Sequence, residues 1–193
     1  GTIRGGSIIC PFCSHTESDK WLQVQGKSGA LCLLPLAIVY STTNGKAYCP
    51  FTEQDLASAA RAEVELDRLV ADRKIDPPNE PISDKRPSPN SRGLSAVTRY
   101  GITKFKDLFT KRQQLSLLEF CYQIRRAWDA MTVARIDREY QQAVVSYITL
   151  NLGRLADFNS MFCTWTASGE FVGHTFTRHA LGMVWDFAEI NPF

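Results

Sequence analysis

Cys10-Pro11-Phe12-Cys13 is the sharpest chemical signal in the chain. Two thiolates two residues apart can grip one zinc ion, because the turn between them points both sulfurs to one side. A closed structural site needs two more ligands, and His15, Cys32 and Cys49 are the in-chain candidates. No second C-x-x-C is present, and Ser14 stands where a glycine usually follows the second cysteine. A reduced pair that binds nothing is the alternative to zinc. A thioredoxin-like redox pair would need a strand before it and a helix after it. Thr16–Lys20 followed by Trp21 does not read as that helix.

Asp76-Pro77-Pro78-Asn79 is close to the tetrad with which amino-methyltransferases hold a flipped base. That tetrad ends in an aromatic residue that stacks on the base. Here Asn79 takes its place, inside a proline-rich stretch, so the tetrad reads as linker. Asn191-Pro192-Phe193 lacks the second proline. His174 and His179 are five apart, off a common helical face. No H-E-x-x-H, G-x-S-x-G, Walker or G-x-G-x-x-G pattern occurs. On motifs alone the chain carries no self-contained active site.

The segment from Arg99 to Arg112 mixes cations with aromatics. Lysine and arginine neutralise phosphates, and tyrosine or phenylalanine can stack on bases. Lys104, Lys106, Lys111 and Arg112 are the candidate phosphate contacts, on local charge. Phe105 and Phe109 read better as core anchors. Residues 53–84 hold nine acids against four bases, whereas residues 99–126 hold seven bases against two acids. This asymmetry fits a footprint for an anionic ligand, or two solvated faces of opposite sign.

These residues must be positioned by four kinds of segment. Residues 1–52 read as β structure, with strands at Ser7–Cys10 and Leu34–Thr42. Asn44-Gly45, which accepts the positive φ angles of a tight turn, predicts a hairpin between Leu36–Ser41 and Lys46–Phe51. Residues 53–74 read as an amphipathic helix, capped by Thr52 with Asp55 reaching back. Residues 75–97 hold five prolines and read as a linker. Residues 98–193 read as mainly helical. Thr110 and Gln113 open a helix whose apolar stripe is Leu117, Cys121, Ile124, Trp128 and Met131. A second helix over about 136–158 pairs with it as an antiparallel hairpin, and Phe176, Ala180, Met183, Val184 and Phe187 predict a last one. The expected fold class is α+β.

Composition is that of a globular chain: 193 residues, 44% hydrophobic and 22% charged. The longest apolar run, Ala30–Tyr40, is eleven residues broken by Pro35, too short to span a bilayer, so no membrane partner is expected. No leader is visible and six cysteines in a chain of this size read as reduced thiols, which places it in the cytoplasm. It opens on Gly1 without a start methionine and reads as a piece of something longer.

Several blocks together resemble the bacterial and archaeal family of adenine-specific DNA methylases that carry a zinc-ribbon insert. RYGITKFKDLFTKRQQLSLLEF from Arg99, NLGRLADFNSMFCTW from Asn151 and MVWDFAEINPF from Met183 are similar to that family's segments, in the same order. GKAYCPFTEQDL from Gly45 matches more loosely. The resemblance covers nearly the whole chain. It implies a central segment, with the S-adenosylmethionine loop lying before it and the catalytic Asp-Pro-Pro-Tyr tetrad after it. It implies that Cys10 and Cys13 are the second half of a four-cysteine ribbon, so that Cys32 and Cys49 are not ligands. It also implies DNA as the partner of the parent enzyme. Two further readings stand beside it: a non-catalytic zinc-ribbon nucleic-acid-binding module, and a structural or partner-docking insert.

Overall fold

The computed structural model describes residues 3–4, 7–10, 12–85, 96–177 and 180–193. The fold is α+β. Strands β1 (Ile3–Arg4), β2 (Ser7–Ile9) and β3 (Thr16–Ser18) form an antiparallel sheet, with Ile8 opposite Glu17 and Ile9 opposite Thr16. Helix α1 (Asp19–Lys27) follows at once, interrupting the stretch read as β. Ser18 caps it by accepting the Trp21 N–H, Asp19 favours its first turn, and Leu22 is buried.

Strands β4 (Ile38–Thr42) and β5 (Gly45–Cys49) make the expected hairpin. Only the glycine takes a positive φ, at 112°; Thr43 and Asn44 form the loop with negative φ. Helix α2 (Glu53–Arg73) opens on the capping box read from sequence, with Thr52 and Asp55 bonding reciprocally. It ends at Lys74, in the left-handed region at φ 49°.

The described part of the proline-rich segment is docked along the body. Ile75 is buried against Leu66, Leu69 and Leu118, and Ile82 against Val97, Leu108, Phe162 and Leu181. Between them, the Glu80 and Pro78 carbonyls accept from the N–H groups of Phe105 and Lys106, and the Ile82 N–H donates to the Thr103 carbonyl. Residues 86–95 of the predicted linker lie outside the described residues.

Two short 3-10 turns, Ala96–Tyr100 and Phe105–Leu108, lead into α3 (Lys111–Val133). Thr110 and Gln113 form its capping box. The predicted apolar stripe of α3 is half-buried, and the deeply buried positions are instead Gln113, Gln114, Ser116 and Leu118. The polar ones are satisfied: Gln114 donates to the carbonyls of Lys106 and Phe109, and Ser116 to that of Gln113. Helix α4 (Arg138–Phe158), capped by Asp137, returns antiparallel to α3. A small hairpin, β6 (Trp165–Thr166) with β7 (Phe171–Val172), follows.

The last helix predicted from Phe176 to Phe187 is absent among the described residues. Leu181, Met183 and Val184 lie across the cluster of Val97, Leu108 and Phe162. The Ala188 N–H bonds the Cys163 carbonyl. Burial of that apolar set across a core overrode its helical spacing. No described helix is long and apolar enough to cross a membrane.

Candidate zinc half-site and basic segment

Cys10 and Cys13 stand at the tip of the β2–β3 hairpin. The Cys10 N–H donates to the His15 carbonyl at 2.8 Å, and the Ser14 N–H donates back to the Cys10 carbonyl at 2.9 Å. Ser14 closes this turn at φ 58°, the left-handed conformation that favours glycine. The backbone N–H of Cys13, then that of Phe12, and the Cys13 side chain face the Cys10 sulfur. They hold its thiol below the ordinary range, with His15 adding slightly. Donors aimed at a sulfur suit a thiolate ligand. The pair therefore fits half of a zinc site. His15 is engaged with Glu17 at 2.8 Å. No group of three metal-binding side chains assembles among the described residues. Strand β3 separates the pair from α1, so neither cysteine opens a helix as a redox pair would. All six cysteines are free.

The four cations proposed as phosphate contacts do not share one surface. Lys106 and Lys111 line a cavity of about 500 Å³ beside α2, together with Asp67, Asp76 and Asp107. Arg112 lines a separate cavity of similar volume with Arg68 and Arg73. Its guanidinium forks onto Glu189 at 2.9 and 3.1 Å, and the Thr110 hydroxyl donates to the same carboxylate at 3.3 Å. Arg112 thus already holds a bidentate anion. Lys104 borders neither cavity; its backbone bridges to Pro81, and its N–H donates to Asp107 at 3.0 Å. The acidic segment packs on the basic one: α2 lies against α3, and Arg73 pairs with Glu119 while its guanidinium lies 4.1 Å from the Tyr122 ring centre. This pair joins a base of the acidic segment to an acid of the basic one, so it does not offset the charge asymmetry.

The Asp76–Asn79 tetrad contributes to packing. Its Pro78 carbonyl, which a base-flipping site would turn toward an amine, accepts the Lys106 N–H at 2.9 Å. His174 bonds Asp157 through Nδ1 at 2.8 Å and packs on Phe158; His179 lies outside the described residues. Asp157 was not singled out from sequence. Its carboxylate also takes the Phe176 N–H, and its carbonyl takes the Thr175 hydroxyl. Burial would raise its pKa, but the Phe176 N–H, His174 and the Thr175 N–H outweigh that and lower it.

The Tyr-Gly pair at the head of the basic segment is a docking point for α1. The Tyr100 hydroxyl donates to Asp19 at 2.5 Å, and its ring meets Trp185 edge-on with centres 5.0 Å apart. Burial first, then Asp19, pushes the phenol from 10.0 to about 12. The neutral phenol is the form that the fold favours. Its contribution is complete below pH 10 and is lost as pH rises through about 12. Absorbance titration should show one of six tyrosines ionising late. Tyr100→Phe should remove that late step and leave the rest unchanged. A wild-type curve with no late component contradicts the burial.

No family model, no curated protein and no solved structure matches this chain.

Proposed function

We propose that this chain is the central segment of an S-adenosylmethionine-dependent DNA adenine methyltransferase, framing the DNA while the chemistry resides in flanking parts of the enzyme. The observation that carries this reading is convergence. The three blocks on which the resemblance rests are far apart in sequence but fold into one core. Leu108 of the first, Phe162 of the second and Val184 of the third share a cluster. The Met161 N–H bonds the Leu108 carbonyl, Gln113 bonds Asn159, and Arg112 grips Glu189. The blocks thus behave as parts of one packed unit, as segments kept together in a family would. In this reading the parent enzyme works in the cytoplasm, where free thiols stay reduced. Cys10 and Cys13 hold a zinc ion with two further cysteines of the parent.

Lys104, Lys106 and Lys111 are the phosphate contacts we assign, and Arg112 a positioning residue that holds Glu189. Changing the three lysines to alanine should lower the salt slope of DNA binding by about 0.9 per lysine that meets a phosphate. Arg112→Ala should leave that slope unchanged and lower the denaturation midpoint. The reverse pattern overturns the assignment. The activity is tested on the longer protein with labelled S-adenosylmethionine and unmethylated DNA, scoring label on adenine. Transfer that vanishes when the downstream tetrad is altered establishes the enzyme.

The hairpin that presents Cys10 and Cys13 favours a second reading, a non-catalytic zinc-ribbon module that binds nucleic acid. It predicts DNA binding without methyl transfer, and loss of bound zinc when either cysteine becomes serine. A folded longer protein that neither transfers methyl nor binds DNA leaves the structural insert.

A further inference from the structure

We propose that Asn44-Gly45 is a site of spontaneous deamidation, and that its conversion releases the β4–β5 hairpin from the β6–β7 hairpin. Asn44 is exposed at the hairpin loop, and its successor has no side chain to shield its backbone nitrogen. After losing its proton to hydroxide, the Gly45 nitrogen attacks the side-chain carbonyl carbon of Asn44. A carbon–nitrogen bond forms, the bond to Nδ2 breaks, and ammonia leaves with a proton from water. Water then opens the five-membered imide at either carbonyl, giving aspartate or isoaspartate.

The surroundings of the loop make this change consequential. Most residues of β4 and β5 are exposed, and a two-stranded hairpin is marginal by itself. Trp165 and Glu170, on and beside the β6–β7 hairpin, lie against it. Trp165 donates through Nε1 to the Tyr48 hydroxyl at 3.1 Å, the rings meeting edge-on. Gly45 faces Glu170, whose Oε2 lies 3.6 Å from where a Cβ on Gly45 would be. Either product places a new carboxylate on the residue next to Gly45, which Glu170 faces, so a negative charge is added beside that carboxylate. Isoaspartate also adds a methylene to the main chain between Asn44 and Gly45. That breaks the pairing of Thr42 with Gly45, disturbs the Thr42 hydroxyl bonds to the Gly45 carbonyl and the Asn44 N–H, and shifts Tyr48 along the ladder.

The test holds the folded protein in mildly alkaline and in mildly acidic buffer and follows intact mass, peptide maps and tryptophan emission. The expected result is a mass shift equal to replacing NH by O, located to the peptide holding Asn44 and faster in the alkaline buffer. Aspartate and isoaspartate forms should separate chromatographically. A red shift of the Trp165 emission should follow the same time course and be missing in Trp165→Phe. Asn44→Gln, whose longer side chain closes a ring poorly, should keep both its mass and its emission. An unchanged folded protein, when the urea-unfolded chain does gain the mass, overturns the site. A mass gain with steady Trp165 emission overturns the release.

Discussion

Gly101→Ala should detach α1 from the body of the protein. Gly101 has a φ of 88°, a conformation that costs a residue with a Cβ about 1 kcal/mol or more. A Cβ there would sit 2.3 Å from the Gly26 carbonyl oxygen and 3.2 Å from the Lys27 Cα. The contact is reciprocal, since a Cβ on Gly26 would sit 2.3 Å from the Tyr100 carbonyl oxygen. Two backbones touch here, so no flexible side chain can swing away. Strain and overlap together should destabilise by about 3 kcal/mol or more. Separation of the backbones also pulls Tyr100 from Asp19, so the late tyrosine ionisation should disappear with it. The measurement is the denaturant midpoint, with proteolysis around α1 as the local probe. Gly153→Ala is the internal contrast. That glycine lies in the interior of α4 with nothing within 4 Å of its would-be Cβ. Alanine there should stabilise by about 0.5–1 kcal/mol. Equal midpoints for the two variants would sink the account of Gly101.

Leu108→Ala should produce the largest loss among the core truncations. Leu108 is 0% exposed and packs with Ile82, Val97, Phe162 and Leu181. Its backbone is fixed on two sides, within a 3-10 turn and by the Met161 N–H, so the site collapses poorly around a void. Such truncations cost about 2–5 kcal/mol, and poor collapse places this one toward the upper end. Leu150→Ala serves as the reference, because Leu150 is 72% exposed and should move the midpoint by less than about 0.5 kcal/mol. A small effect at Leu108 would mean that the three blocks do not depend on one another, and would remove the main support for the proposed function.

What could be read in the sequence was local. The Thr52–Asp55 and Thr110–Gln113 boxes are set by residues three apart, and both helices begin where these signals lie. The C-x-x-C turn is likewise short-range, and the structure gives it a hairpin tip with donors facing the sulfur. Helix α1 was missed because its apolar content is thin, although Ser18 followed by Asp19 was a usable start signal. The predicted C-terminal helix failed because its spacing fits two geometries, and only the core decides between them. Long-range partners were illegible. Glu189 claims Arg112 across 77 positions, and Asp19 claims Tyr100 across 81. Neither the split of the basic residues between two cavities nor the hub at Asp157 follows from composition.

The docked segment from Ile75 to Ile82 has a consequence for how the molecule breathes. One end is sealed into the cluster of Leu66, Leu69 and Leu118, and the other into that of Val97, Leu108 and Phe162. Between the two isoleucines the chain spends its carbonyls on Phe105 and Lys106. Neither cluster can open far without dragging on the other through so short a tether. In native-state hydrogen exchange, the amides of Ile82, Phe105 and Lys106 should therefore fall in one slow class, exchanging when both clusters part together. The prolines that read as a linker in the sequence hold a stretch that joins the two clusters.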